Sequence, residues 1–384
     1  MVPSAVPQRR IRFGLLLVVA TSVAALVVLG LLQAPSGGTA VSAPEQTDVV
    51  TRLIEDETAH GFEPLAAGWA LSLPDDHGGH DDARMETWAL SAHLRDKAGN
   101  TLGIQISLSR LGVRNLASTE HAGWAFGDLH RAHVVFSDDA AQTAMGEERV
   151  GRRGGGHDNA EGQVWLDDWS LSFDPTAARA PISLTASVEG VPLQLTLSPT
   201  KPALSAGGGE AGPARGYSLP GLEVTGWIGA GTDRREVTGQ GWFDHAWGEL
   251  PVPGGPVTYD RLLLQLADGT DLTLLRTRRV DGRGVATVDG ALIDAAGDVR
   301  TLSDDTLTLE AAPASPVNGA DGNFVLNWTI RGAGLDLQVE PAFPEQFFAF
   351  AQPLWSGLVT VEGMKDGAPI SGLGTLQTAA AEQP

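Results

Sequence analysis

From position 86 to position 361 the sequence alternates apolar and polar residues with period two, and no long stretch there carries the 3.6-residue repeat of a helix. Successive side chains of a strand point to opposite faces, so such a chain buries its apolar residues by folding antiparallel sheets into barrels or sandwiches. The clearest runs are 86–94, 102–108, 132–136, 163–173, 182–188 and 193–197. A second set begins at Leu222 and continues through 235–247, 261–266, 271–277, 306–309, 324–330, 335–339 and 358–361. Glu189-Gly190 predicts a hairpin turn, and Ala267-Asp268-Gly269-Thr270 predicts another turn. The 48 glycines and 23 prolines supply the punctuation that many short strands need. With no cysteine in 384 residues, disulfides, thiolate catalysis and Cys-bound metals are excluded, and the fold rests on its core. The expected class is all-β.

Ahead of the strands lies an uncharged apolar run at 13–32, preceded by Arg9, Arg10 and Arg12. A helix of that length spans a bilayer core of roughly 30 Å. A secretory leader, whose apolar core is usually about 7–15 residues, is the competing reading. Val41-Ser42-Ala43 offers it a cleavage site, with Pro44 following awkwardly. The length of the run favours an uncleaved anchor. Arginines precede the run, while Glu45, Asp48, Glu55, Asp56 and Glu57 follow it, so the positive-inside rule puts the N-terminus in the cytoplasm. Residues 1–44 are then tail, transmembrane helix and linker in the cytoplasmic (inner) membrane, and the rest of the chain lies outside, periplasmic or extracellular. Secretion after cleavage is the alternative. Val49, Val50, Leu53 and Ile54 give one short amphipathic helix at 47–60. The 26 basic residues stand against 47 acidic ones, a net charge of -21 that lacks the basic footprint of a nucleic-acid binder.

A glycine-rich stretch at 201–216, containing Gly207-Gly208-Gly209, separates the two strand sets and divides the ten tryptophans evenly. The expected organisation is an N-terminal β domain at 45–206, an interdomain loop at 207–216 and a C-terminal β domain at 217–384. Each half is long enough to bury close to about 70% of its surface. Core packing is the ordinary role of tryptophan, but tryptophans pointing into a small barrel would also wall a pocket for an apolar ligand. Residues 207–212 spell G-x-G-x-x-G, yet no βαβ unit surrounds them and Pro213 follows. There is no Walker A sequence, and 216–221 lacks the spacing of a nucleophile elbow.

Two polar constellations remain. At 74–82 two imidazoles, His77 and His80, and four carboxylates, Asp75, Asp76, Asp81 and Asp82, crowd into a loop with Gly78-Gly79. These are ligand types for zinc or calcium, but the spacing matches no standard motif, and the side chains also suit a turn that satisfies its own backbone. No metal and no cofactor is assigned. At 241–248, a regular strand would place Phe243, His245 and Trp247 on one face and Trp242 and Asp244 on the other. His245 against aromatic walls is the setting in which a titratable group serves as an acid or base. Asp244 would reach it only through a bulge.

The order LPDDHGGH, ETWALSAHLRDKAGN, RAHVVFSDD, VWLDDW, GWFDHAWG and LWSGLVTVEG…GAPISGLGTLQT, spanning roughly 60–378, resembles the AttH/CrtC family. That family includes carotenoid 1,2-hydratase (hydroxyneurosporene synthase) and many lipocalin-like bacterial proteins associated with ABC-transporter permeases. The resemblance implies two lipocalin-like (calycin-type) antiparallel β-barrel or sandwich domains. It places the catalytic segment of the hydratases on Asp244, His245 and Trp247, and the ligand-facing positions on Glu86, Trp88, His133, Trp242, Phe243 and Trp355. Alkene hydration needs a proton donor and a stabiliser of the carbocation, roles that His245 and the Trp247 indole fit. The chain departs from the family pattern where Glu86-Thr87-Trp88-Ala89 replaces E-W-W-Y, where Ala246 replaces an acid in D-H-E-W, and in its closing motifs.

The expectation is therefore a membrane-anchored, extracytoplasmic protein that binds a hydrophobic small molecule or lipid, with an ABC-type permease as an associate. A carotenoid hydratase-like enzyme is the alternative.

Overall fold

The computed structural model describes Arg9 and Arg10, Phe62, Leu65 and residues 68–112, 128–151, 154–207, 214–248, 257–279 and 284–380. The apolar run at 13–32 and the helix expected at 47–60 lie outside these residues. No helix among the described residues is long and apolar enough to cross a membrane.

The chain is all-β, in two nearly closed antiparallel barrels. The strands of the first are β1 (Met85–Asp96), β2 (Thr101–Gly112), β3 (Asp128–Asp138), β4 (Thr143–Gly151), β5 (Gly155–Asp158), β6 (Gln163–Leu166), β7 (Trp169–Ser172), β8 (Ile182–Val188), β9 (Val191–Pro199), β10 (Leu204–Gly207), β11 (Ala214–Ile228) and β12 (Arg235–Gly248). They are ordered β4-β3-β2-β1-β12-β11-β9-β8-β7-β6-β5, with β10 added on β11. The second barrel contains β13 (Val257–Leu266), β14 (Asp271–Arg279), β15 (Thr287–Ile293), β16 (Val299–Ser303), β17 (Leu307–Ala311), β18 (Trp328–Gly332), β19 (Leu335–Pro341), β20 (Leu354–Lys365) and β21 (Ala368–Thr378). Its order is β16-β15-β14-β13-β21-β20-β19-β18-β17. In both, the first strand pairs with the last and the sheet opens in the middle of its own sequence.

Local turn chemistry works as the sequence predicts. Glu189 and Gly190 take φ of 48° and 82°, the left-handed pair that closes the β8–β9 hairpin. The run at 163–173 is two strands rather than one, because Asp167 at φ 55° turns the chain between β6 and β7.

The domain division differs from the sequence expectation. Leu204 pairs with Ser218 and Gly207 with Arg215, so the residues on either side of the glycine-rich stretch pair with each other within the first barrel. β11 and β12, assigned by sequence to the second half, complete the first sheet by pairing with β9 and β1. The chain passes to the second barrel between Gly248 and Val257. Alternation identifies a strand but not its partner, and glycine content alone does not separate a hairpin from a linker.

Three cores follow from the alternation. Trp88, Leu90, Ala92 and Leu94 of β1 point into the first barrel with Ile104, Val134, Phe243 and Trp247. Leu262, Leu264, Trp328, Leu337 and Trp355 fill the second. The third lies between the barrels, where Leu204 and Trp242 of the first meet Tyr259, Leu263 and Leu275 of the second. Both faces of β1 and β12 are thus buried, and their outward side chains are partly polar. Lys201 crosses this interface to Asp271 at 2.7 Å and donates to the Gly269 carbonyl at 2.6 Å.

Candidate functional site

The inward residues of β1, β2, β11 and β12 meet at one end of the first barrel. β1 brings Glu86 and Trp88, β2 Arg110, β11 Tyr217, and β12 His245 and Trp247. Register fixes the arrangement, since Trp88 stands opposite His245 and Glu86 opposite Trp247. The loop at 74–82 folds over this end and supplies Asp76, His77 and His80. Its glycines are required by close approach: a Cβ on Gly78 would lie 2.5 Å from Asn159 Oδ1, and one on Gly79 2.3 Å from the His157 ring. Asn159 clamps the loop, accepting from the Gly79 amide at 2.7 Å and donating to its carbonyl at 2.9 Å.

Glu86 is the hub and is fully buried. Its Oε1 lies 2.7 Å from His80 Nδ1 and 2.9 Å from His245 Nε2, and Arg110 donates to its Oε2 at 3.2 Å. The outer nitrogens of both imidazoles are also engaged. His245 Nδ1 is 2.9 Å from the Asp76 carbonyl, and His80 Nε2 is 3.2 Å from Asp76 Oδ1. Aromatic rings enclose the group: Trp247 stacks on His80 at 3.8 Å, Trp88 on His245 at 4.6 Å, and Trp69 meets Trp247 edge-on at 5.3 Å. Tyr217 hydrogen-bonds His77 Nδ1 at 2.5 Å.

Burial pushes the Glu86 carboxyl upward, but its bonds to His245 and His80 and the charges of His80 and Arg110 outweigh this and hold it well below the usual carboxylate range. Burial also disfavours a charged His80, yet the Asp76 and Glu86 carboxylates raise it to about 9. For His245 burial dominates and holds it below 6.5. His77, desolvated and facing His245, falls to about 4. The inventory leaves one inconsistency. The Asp76 carbonyl can only accept, so His245 Nδ1 carries the hydrogen, and a neutral ring then turns its Nε2 lone pair toward a carboxylate oxygen. Nε2 therefore meets that oxygen either as a second N–H donor or through a bound cation. His80, Glu86 and His245 also offer three ligand atoms that all lie within 4.8 Å of one another, the donor set for a metal ion.

The sequence-derived residues therefore separate. Glu86, Trp88, His245 and Trp247 converge, and Phe243 lies deeper on the same face, 5.7 Å from Phe173. Asp244 points the opposite way, where Ser218 and Trp242 donate to it at 2.5 and 3.0 Å and it pairs with Arg261 of the second barrel. No bulge brings it to His245. His133 lies on the outward face of β3 and lines an interdomain cleft with Arg131, Tyr259 and Arg261. Trp355 sits in the second core and donates to the Pro344 carbonyl at 2.8 Å. The residues that sequence reasoning missed are Arg110 and Tyr217, which carry no local motif. Asp76, His77 and His80 stood out only as a loop of unassigned purpose. A narrow cleft lined by Trp88, Leu108, Arg110, His130, His157 and Trp165 reaches the centre beside β5 and β6.

A profile of the AttH-like family matches residues 64–377. A crystal structure of a Nitrosomonas europaea protein assigned to AttH is similar with a TM-score of 0.69 at 25% identity, covering 83% of this chain and 100% of that one. Kievitone hydratase from Nectria haematococca shares the fold, with a TM-score of 0.62 at 11% identity over 84% of this chain and 97% of that one. No curated protein matches the sequence.

Proposed function

The chain belongs to the AttH-like family, and from that premise we propose that it binds a hydrophobic small molecule or lipid in its first barrel. One observation carries this reading: a charged centre at Glu86 sits at the barrel's end inside walls of Trp69, Trp88 and Trp247. Buried charge is costly, and a barrel built only to be packed would hold apolar residues there. Aromatic walls around a few placed polar groups are the usual make-up of a small-molecule site. A narrow cleft beside Trp88 and Arg110 borders this centre. The full-length protein, extracted in mild detergent from the cells that make it, should carry a non-covalent hydrophobic ligand in native mass spectrometry. A spectrum showing only protein and detergent, under conditions that preserve a known lipid complex, would count against the proposal.

A second reading is a hydratase that adds water to an alkene. It is supported by His245 and Trp247 sharing the interior face, with ring centroids 4.9 Å apart. There His245 would deliver the proton to carbon and an indole face would steady the resulting cation.

Attachment to the cytoplasmic membrane through 13–32, with both barrels outside and an ABC-type permease as associate, belongs to the same proposal. Protease added to intact spheroplasts should digest the barrels. Full protection until the membrane is lysed would reverse the topology.

A further inference from the structure

We propose that His80 Nδ1, Glu86 Oε1 and His245 Nε2 are the ligands of a divalent metal of the zinc class, which ties the loop at 74–82 to the barrel end.

The hydrogen-bond pattern around the three residues points this way. Metal-binding histidines usually donate their outer N–H to a carboxylate or a main-chain carbonyl, which fixes the ring and turns the other nitrogen inward as a lone pair. Both histidines here place the outer nitrogen against such a partner. His80 Nε2 faces Asp76 Oδ1 and His245 Nδ1 faces the Asp76 carbonyl, so a single residue orients both rings. Both inner nitrogens then converge on the same carboxylate oxygen at 2.7 and 2.9 Å. The three atoms lie within 4.8 Å of one another, close enough to share one cation. Arg110 donates to Glu86 Oε2, and the His80 amide is shared between Oε2 and Oε1 at 3.0 and 3.1 Å, so Oε1 is the oxygen that faces both imidazoles.

Charge and ligand chemistry agree. Two added protons or one divalent ion give the centre the same net charge. Two imidazoles and a carboxylate suit zinc, with ligand bonds of about 2.0–2.2 Å. Tetrahedral bonds of that length separate ligand atoms by about 3.3 Å, so Glu86 Oε1 would sit roughly 0.5 Å farther from each imidazole nitrogen. Rotation of His80 can provide this, because it stands on the loop.

The metal would occupy the His245 Nε2 lone pair, so that nitrogen could not also serve as a proton donor to carbon. A hydratase built on such a centre would need an acid other than His245 Nε2.

The test is metal content. The full chain, carrying a tag without histidine and purified without chelators, should contain about one zinc per molecule by plasma mass spectrometry. Exchange for cobalt(II) should produce the visible absorption bands of a tetrahedral site. Asp76→Asn, which touches no proposed ligand atom, should weaken affinity by roughly 10–100-fold, as removal of an outer-shell partner does. His80→Gln should abolish binding. If the wild-type chain is folded by circular dichroism, holds no stoichiometric metal as isolated, and takes up neither zinc nor cobalt at micromolar concentrations, the proposal fails and two protons hold the centre. Zinc that persists at full occupancy in His80→Gln would also overturn it, by placing the ion elsewhere.

Discussion

Replacing Asp244 with alanine should cost about 3–5 kcal/mol of stability, the usual penalty for removing one partner of a buried ion pair. The carboxylate holds three groups at once: the Arg261 guanidinium, the Trp242 indole N–H and the Ser218 hydroxyl. Asp244 is 3% and Arg261 7% exposed, so water cannot replace what is lost. The arginine belongs to β13 and the other two to the first barrel, so the loss falls on the joint between the barrels. Urea denaturation of the full chain would register it as an earlier transition. Asp244→Leu combined with Arg261→Met should recover much of the stability, because two apolar side chains leave no charge stranded. The folded single variant should retain its ligand affinity, since the carboxylate faces away from His245. A loss below about 1 kcal/mol would mean that the pair is effectively solvated.

The same strand shows what the sequence could and could not reveal. Alternation over 235–247 was enough to place Phe243, His245 and Trp247 on one face, and the structure keeps them there. It also implied that Asp244 is on the other face. The resemblance to a catalytic motif drew attention to Asp244, while its actual partner, Arg261, lies on a strand of the other barrel. The Glu189-Gly190 turn was legible because its left-handed backbone is a local demand. The hub was not: Glu86 and His245 are 159 positions apart, and only the pairing of β1 with β12 joins them. That pairing depends on barrel closure, in which the first strand meets the last, and no local pattern encodes it. The crowding of His and Asp at 74–82 was visible, but its target was across the barrel. The domain boundary differs for a related reason, since glycine content in a sequence marks a hairpin connection as readily as it marks a linker.

The central claim is that the aromatic and charged end of the first barrel receives a hydrophobic ligand. Trp247 should contribute most to affinity, because its indole bridges the His80 ring and Trp69. Loss of a central aromatic anchor typically costs about 2 kcal/mol, or close to 30-fold in affinity. Both His245 nitrogens face protein partners, so His245→Ala acts on the ligand only through the Glu86 centre and should weaken affinity less than Trp247→Ala. The most direct measurement is titration of the full chain with a long-chain polyene, read by quenching of tryptophan fluorescence, with the polyene recovered afterwards and weighed by mass spectrometry. The account predicts saturable quenching, a large loss of affinity in a Trp247→Ala variant that still melts cooperatively, a small loss in His245→Ala, and unchanged polyene in every sample. Recovery of a hydrated product from the wild type, with none from His245→Ala, would contradict it.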